Sequence, residues 1–132
     1  MEQAIIVGGT TGIGKATAAL LLKDGIKVVV LGRPGKNGTK VEQSLSKQVK
    51  IKFVGLDLMD MEAVENFINN VKHIAPNVKY LVNAAGYFSP KSFLEHTPED
   101  FDHYHNFNRA FFFLTQAVAK QMKTNGGGLW LL

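Results

Sequence analysis

Apolar and polar positions divide the chain into two alternating kinds of segment. Short runs rich in valine, isoleucine and leucine predict buried strands, because a strand covered on both faces needs no polar alternation. Longer segments with apolar residues three and four positions apart predict amphipathic helices. The predicted strands are residues 4–7, 27–31, 50–54 and 80–83, and the predicted helices are residues 12–23, 39–47, 61–73 and 97–123.

The longest predicted helix has the clearest start signal. Thr97-Pro98-Glu99-Asp100 places a capping hydroxyl, a first-turn proline and two acids in order, which is close to a capping box. The glycines at 126–128 end this helix, and residues 129–132 predict the start of a fifth strand. The alternating order predicts an α/β fold, a doubly wound parallel sheet of four to five strands with helices on both faces, truncated after the start of the fifth strand.

Composition restricts the class of protein further. A chain of 132 residues with 45% hydrophobic residues predicts a single domain over residues 1–132. It has no cysteine and only four scattered histidines, so we expect no metal site. The net charge of +4 is spread over scattered lysines, which argues against a nucleic-acid partner. Without a long apolar run or a signal peptide, we expect a cytoplasmic protein with no membrane partner.

The first predicted strand leads directly into a glycine-rich turn. Gly8, Gly12 and Gly14 follow the strand, and the next predicted helix starts at once. Glycine permits a sharp turn and lets backbone N–H groups approach a pyrophosphate, which the positive end of the helix attracts. Thr10 and Thr11 add hydroxyl donors. This strand, turn and helix together predict a dinucleotide-binding site.

The end of the second predicted strand bears on the choice of dinucleotide. An acid at this place in NAD-binding sheets accepts hydrogen bonds from the adenosine ribose. Here the position holds Gly32, followed by Arg33. A guanidinium favours the 2′-phosphate that a carboxylate would repel, so we expect NADP(H) to be preferred over NAD(H). Lys36 is close enough in sequence to assist Arg33 in binding the phosphate. The alternative interpretation is that Arg33 is an ordinary solvated loop residue.

Two further strand ends carry residues suited to the same ligand. Asp57-Leu58 follows the third strand, where the carboxylate can accept a hydrogen bond from the adenine amino group. An aspartate there equally caps a turn. Asn83-Ala84-Ala85-Gly86 ends the fourth strand, and its small side chains leave room for the riboses. The alternative for this segment is a routine turn.

Together these features resemble the short-chain dehydrogenase/reductase family. The family signature T-G-x-x-x-G-I-G is matched by Gly8, Gly12, Ile13 and Gly14, with Val7 in place of threonine. The resemblance implies a Rossmann-type fold and an oxidoreductase that transfers hydride between a nicotinamide cofactor and a carbonyl or alcohol substrate. The remaining matches are Asp57-Leu58 with the family's adenine-contacting pair, and Asn83, Ala84, Ala85 and Gly86 with its N-N-A-G segment, in which Ala84 replaces an asparagine.

The resemblance also implies an active-site residue on the longest helix. Asn108 matches the family asparagine that supports a proton-relay water. Its spacing to Thr115 is one residue shorter than in typical members, so Asn106 is the alternative. For both asparagines, an exposed polar residue on a long helix is the other interpretation.

The family's catalytic serine and Tyr-x-x-x-Lys pair have no counterpart at the expected place, because the chain ends near the fifth strand. Tyr87-Phe88-Ser89-Pro90-Lys91 matches the spacing alone, and Pro90 disfavours the helix that the pair requires. We therefore expect the dinucleotide-binding half of an oxidoreductase, inactive by itself. The alternatives are a non-catalytic dinucleotide-binding module and a truncated gene product.

The longest helix further predicts self-association. Phe107, Phe111, Phe112 and Phe113 give it more aromatic surface than one face of a sheet can bury. In the resembling family this helix often packs against its symmetry mate. We therefore expect a homo-oligomer formed through the helix at 97–123.

Overall fold

The computed structural model describes residues 1–35, 50–87 and 89–131. The helix predicted at 39–47, the position of Lys36 and the last residue of the predicted fifth strand lie outside these ranges. The elements in chain order are β1 (Gln3–Val7), α1 (Gly12–Lys23), β2 (Lys27–Gly32), β3 (Ile51–Gly55), α2 (Met61–Ile74), β4 (Val78–Asn83), a 3-10 turn (Phe93–Glu95), α3 (Pro98–Thr124) and β5 (Leu129–Leu131).

The five strands form one parallel sheet in the order β3-β2-β1-β4-β5. Val7 at the end of β1 is level with Leu31 of β2 and Asn83 of β4. All strands therefore end at the same edge of the sheet. Successive strands run outward from β1 in one direction up to β3, and the chain then returns to the other side of β1 as β4. Ligands of open α/β sheets bind at such a switch point.

Helices pack on both faces of the sheet. Ile5, Val7 and Val29 point to the face covered by α2 and α3, whereas Ile6 and Val28 point to the face covered by α1. Every residue of β1 is buried, as expected for the central strand of a parallel sheet. This arrangement confirms the predicted doubly wound α/β fold.

Both ends of α3 are fixed to the rest of the domain. At its start, Thr97 and Asp100 form the predicted capping box, and Lys91 forms an ion pair with Asp100 at 2.8 Å. This hydrogen bond lowers the pKa of Asp100 and raises that of Lys91. At its end, the amide of Asn125 donates to the carbonyl of Pro76 at 2.8 Å.

The fourth strand is longer than predicted. It begins at Val78 rather than at residue 80, because Val78 is completely buried and pairs with Gln3 of β1. Lys79 interrupts the apolar run between Val78 and residue 80, so the sequence pattern does not show the earlier start of the strand. The Lys79 amino group donates to the carbonyls of Asn125 and Gly127, so this side chain covers the carbonyl end of α3.

Within the part of the chain that the structure describes, no helix is long and apolar enough to cross a bilayer.

Candidate functional site

A cleft of about 600 Å³ opens at the carboxyl edge of the sheet. The turn after β1 forms its centre, the ends of β2 and β3 form one side, and the loop after β4 with one face of α3 forms the other. Among the predicted site residues, the cleft is lined by Gly8, Thr10, Thr11, Arg33, Asp57, Leu58, Ala84, Ala85 and Gly86.

Two glycines of the first turn allow backbones to approach more closely than any side chain permits. Gly8 has φ +79°, and a Cβ there would lie 2.7 Å from the Ala85 nitrogen. A Cβ on Gly14 would lie 2.1 Å from the Gly8 carbonyl oxygen. The turn therefore packs directly on the loop after β4, and α1 packs directly on the turn. The result is an open floor of backbone groups, as a pyrophosphate requires.

The N-terminus of α1 faces this floor without neutralising groups. Thr11 is the N-cap residue, its side chain makes no capping hydrogen bond, and the first turn carries no acid. The first-turn N–H groups and the positive end of the helix are thus available to an anion. Gly12 and Gly14 shape this turn rather than line the cleft, and Ile13 is 81% exposed.

The end of β2 leaves little space for a side chain at Gly32, the position where NAD-binding sheets carry an acid. A Cβ on Gly32 would lie 2.6 Å from the Thr10 methyl group and 3.5 Å from the Phe53 ring. Any larger side chain at this position therefore requires Thr10 to move. Arg33 lines the cleft immediately beyond and is exposed. Within the described residues, Arg33 has no ion-pair partner.

Asp57 both lines the cleft and stabilises a turn. Its Oδ1 accepts a hydrogen bond from the Met59 N–H at 2.9 Å, and its carbonyl accepts one from Asp60 at 2.9 Å. Oδ2 has no partner among the described residues, so it remains available to a ligand. Leu58 is 7% exposed and belongs to the core. It therefore borders the cleft but offers little surface to a ligand.

The loop after β4 is ordered by its own asparagine. Asn83 Oδ1 accepts from the Ala85 N–H at 3.1 Å, and the Ala84 N–H donates to the Val7 carbonyl at 2.8 Å. Asn83 thereby shapes the loop and does not line the cleft. Ala84, Ala85 and Gly86 present only small groups to the cleft.

Helix α3 contributes His103 and Phe107 to the cleft, one turn apart. Asn106 and Asn108 are both exposed and lie outside the cleft lining. Neighbouring residues on a helix point about 100° apart, so each asparagine flanks the direction in which Phe107 points. The catalytic role assigned to Asn108 stays a prediction, and this geometry does not bring its side chain into the cleft.

An aromatic cluster where the loop after β4 meets α3 was not predicted. Tyr87 stacks on His103 with ring centroids 5.2 Å apart and meets Tyr104 edge-on at 4.8 Å. The Tyr104 hydroxyl accepts from the Ser89 N–H at 2.9 Å and donates to the Ser89 carbonyl at 3.3 Å. The one signal in the sequence was that His103 and Phe107 are four positions apart, which places them on the same side of α3. The cluster fixes the loop after β4 onto α3.

Tyr87 and Lys91 do not form the helical pair that their spacing imitates. Both lie in the non-helical segment before the 3-10 turn, and Lys91 is engaged by Asp100. Among the described residues there is also no group of three histidine, aspartate or glutamate side chains suited to a metal ion.

Known proteins are similar to this chain in sequence and in fold. A family model described as short chain dehydrogenase matches residues 2–129. The chain is 35% identical over 134 residues to a 3alpha-hydroxysteroid dehydrogenase from Mediterraneibacter gnavus, covering 98% of this chain and 54% of that protein. It is 32% identical over 128 residues to an NADP-dependent (R)-specific alcohol dehydrogenase from Lentilactobacillus kefiri, covering 96% and 51%. The solved structure of ElxO with NADP bound matches with a TM-score of 0.83 at 28% identity, covering 98% and 53%.

The chain therefore belongs to the short-chain dehydrogenase/reductase family, and its sheet is the Rossmann-type sheet of that family. Both the predicted family and the predicted fold are confirmed. The chain spans about half the length of the curated relatives it matches.

The close packing at Gly14 generates a stability prediction. In Gly14→Ala, the added methyl group meets the Gly8 carbonyl oxygen at a 2.1 Å approach, so we expect a loss of about 1–3 kcal/mol in the free energy of unfolding. Urea denaturation measures it. The control is Gly86→Ala, where a Cβ meets nothing within 4 Å and the expected change is under about 0.5 kcal/mol. Equal stability of wild type and Gly14→Ala would contradict the packing.

Proposed function

We propose that this chain is the dinucleotide-binding half of an NADP(H)-dependent oxidoreductase that transfers hydride between nicotinamide and a carbonyl or alcohol substrate. The observation that carries the proposal is the glycine floor beneath the uncapped N-terminus of α1 at the switch point of the sheet. The cofactor, when bound, would supply the hydride to a carbonyl or accept it from an alcohol. The residues of this chain bind its pyrophosphate at Gly8 to Gly14 and its adenosine between the ends of β2 and β3.

The preference for NADP(H) is supported by the end of β2. Gly32 offers no carboxylate to the ribose, and the methyl group of Thr10 occupies the space beside it. Arg33 borders the same part of the cleft with its charge free to pair with a 2′-phosphate. Two similar proteins point the same way, since one is named NADP-dependent and another was solved with NADP bound.

Arg33→Ala tests this preference. We expect wild type to bind NADPH more tightly than NADH, and Arg33→Ala to lose about 1–3 kcal/mol toward NADPH only, because a charge-assisted contact to the 2′-phosphate is removed. Calorimetric titration with both cofactors measures the difference. Arg109→Ala removes the same charge outside the cleft and should bind like wild type. Equal affinity of wild type for both cofactors would overturn the NADP assignment.

We further propose that a polypeptide of residues 1–132 does not turn over substrate by itself. A reductase of this family needs a tyrosine whose proton transfer is assisted by a nearby lysine. Within the described residues, the Tyr87 and Lys91 pair lies off any helix, and Lys91 is held by Asp100. The alternative function, a dinucleotide-binding module without catalysis, has the same cleft and differs in taking no part in hydride transfer.

Turnover assays test whether this polypeptide is inactive by itself. With NADPH and a panel of aldehydes and ketones, we expect no oxidation of NADPH above the protein-free rate. Calorimetric binding of NADPH by the same sample shows that the protein is folded. NADPH consumption that disappears in Tyr87→Phe would show that Tyr87 is the proton donor after all.

Self-association through α3 is proposed from the side of this helix that faces away from the sheet. We call residues 101, 105, 108 and 112 the outer strip, since they recur at helical spacing and all are exposed. Phe101 is 67% exposed and Phe112 is 64% exposed. The first turn is acidic and the last turn carries Lys123, so an antiparallel pair of these helices brings opposite charges together. A stable interface buries roughly 800 Å² on each partner.

Phe112→Glu tests the homodimer. Light scattering at micromolar concentration should give a dimer for wild type and a monomer for Phe112→Glu, because a charge within the outer strip remains unpaired in the interface. Leu20→Glu is the control, because Leu20 is similarly exposed at 65% but lies on α1, on the opposite face of the sheet. A stably folded wild-type monomer would refute the proposal.

A further inference from the structure

A second groove lies between α2 and α3, on the outer surface of the helical layer. Its volume is about 740 Å³, and it shares no lining residue with the cofactor cleft. Its apolar lining includes Val64, Ile68, Ala110, Phe113 and Ala117. Ala110 and Ala117 lie two turns apart on α3, and their small side chains make this part of the groove deeper. Phe113 remains 39% exposed.

The charges along this groove are predominantly positive. Lys72 of α2 and Arg109 and Lys120 of α3 line it, against the single acid Glu65. Among the described residues, none of these four side chains takes part in a salt bridge. The guanidinium of Arg109 lies 5.0 Å from the centre of the Phe113 ring, which holds this cation at the edge of the apolar surface. An apolar floor with unpaired cations is complementary to an acidic amphipathic ligand.

The groove uses a different side of α3 from the outer strip. Arg109, Phe113, Ala117 and Lys120 recur at spacings of four, four and three, so they form one stripe along the helix. Phe112 precedes Phe113 by one position and therefore points about 100° away. An occupant of the groove and a copy of the chain on the outer strip thus contact separate stripes.

We propose that this groove binds an acidic amphipathic helix of a partner polypeptide. From Arg109 to Lys120 the groove runs along twelve residues of α3, a rise of about 16 Å, which is the length of a three-turn helix. Such a helix lays apolar residues at positions i, i+3, i+4 and i+7 into a groove. Carboxylates beside those positions pair with Lys72, Arg109 and Lys120. Electrostatic complementarity of this kind sets partner choice and association rate. The inference is independent of the proposed cofactor.

Two fluorescein-labelled helical peptides of sixteen or so residues test the proposal. Both carry leucines at i, i+3, i+4 and i+7. The acidic peptide has glutamates at the positions beside the leucines, and the basic peptide has lysines at the same positions. Fluorescence anisotropy with the whole chain should show saturable binding of the acidic peptide and little binding of the basic one.

Matched variants of the protein locate the binding. The double variant Lys72→Glu and Lys120→Glu should weaken the acidic peptide about tenfold or more, since two attractive charges become repulsive. Lys123→Glu makes the same change on α3 outside the groove lining and should leave the affinity within about twofold. Ala117→Arg fills the floor and should abolish binding. Circular dichroism melts verify that each variant is folded.

Three results would overturn the proposal. The first is no saturable binding of the acidic peptide by folded wild-type protein. The second is an equal loss of affinity in Lys123→Glu and in the groove variant, which would indicate general charge attraction. The third is binding of laurate that depends on Lys72 and Lys120 without any binding of the peptide, which would indicate a site for a lipid anion.

Discussion

The packing of the Gly8 backbone against the loop after β4 is the contact on which the cofactor cleft depends. The Gly8 N–H donates to the Leu31 carbonyl of β2, and the Ala84 N–H donates to the Val7 carbonyl, each at 2.8 Å. The first turn is therefore tied to both neighbouring strands just where the sheet order reverses. A side chain at position 8 would meet the Ala85 backbone within 2.7 Å, and the two walls of the cleft would have to separate.

The orientation of α1 follows from the same contact. Gly14 lets the first turn of α1 lie directly on the Gly8 carbonyl, so the N-terminus of the helix is held against the glycine turn after β1. Thr11 leaves the helix end without a side-chain cap, which is unfavourable for an isolated helix. An anion bound there compensates for the missing cap and interacts with the helix dipole. The local stability of α1 and the proposed binding of phosphate would therefore be linked through this one turn.

Much of the fold was predictable because strands and helices of a doubly wound sheet differ in their apolar spacing. The capping residue of α3, Thr97, and its partner Asp100 were predicted to the residue, since capping chemistry is local. The direction in which Asn108 points from α3 could not be predicted in the same way, because a shift of one residue turns a side chain by about 100° around the helix. Tyr87 with His103 was also missed. Their stacking joins two distant segments, and pairwise contacts of this kind leave no local pattern.

Helix α3 presents three stripes of different chemistry, and the rotation of the helix about its own axis sets the direction of all three. One stripe, with Phe107 and Leu114, faces the sheet and the cleft. The outer strip and the groove stripe point away from the sheet in two other directions. The capping box and Lys91 fix the first turn, and the contact of Asn125 with Pro76 fixes the last. Since both ends are attached to the same domain, the helix cannot turn to exchange one surface for another. Each stripe can therefore vary in sequence independently, provided that the stripe facing the sheet keeps its packing.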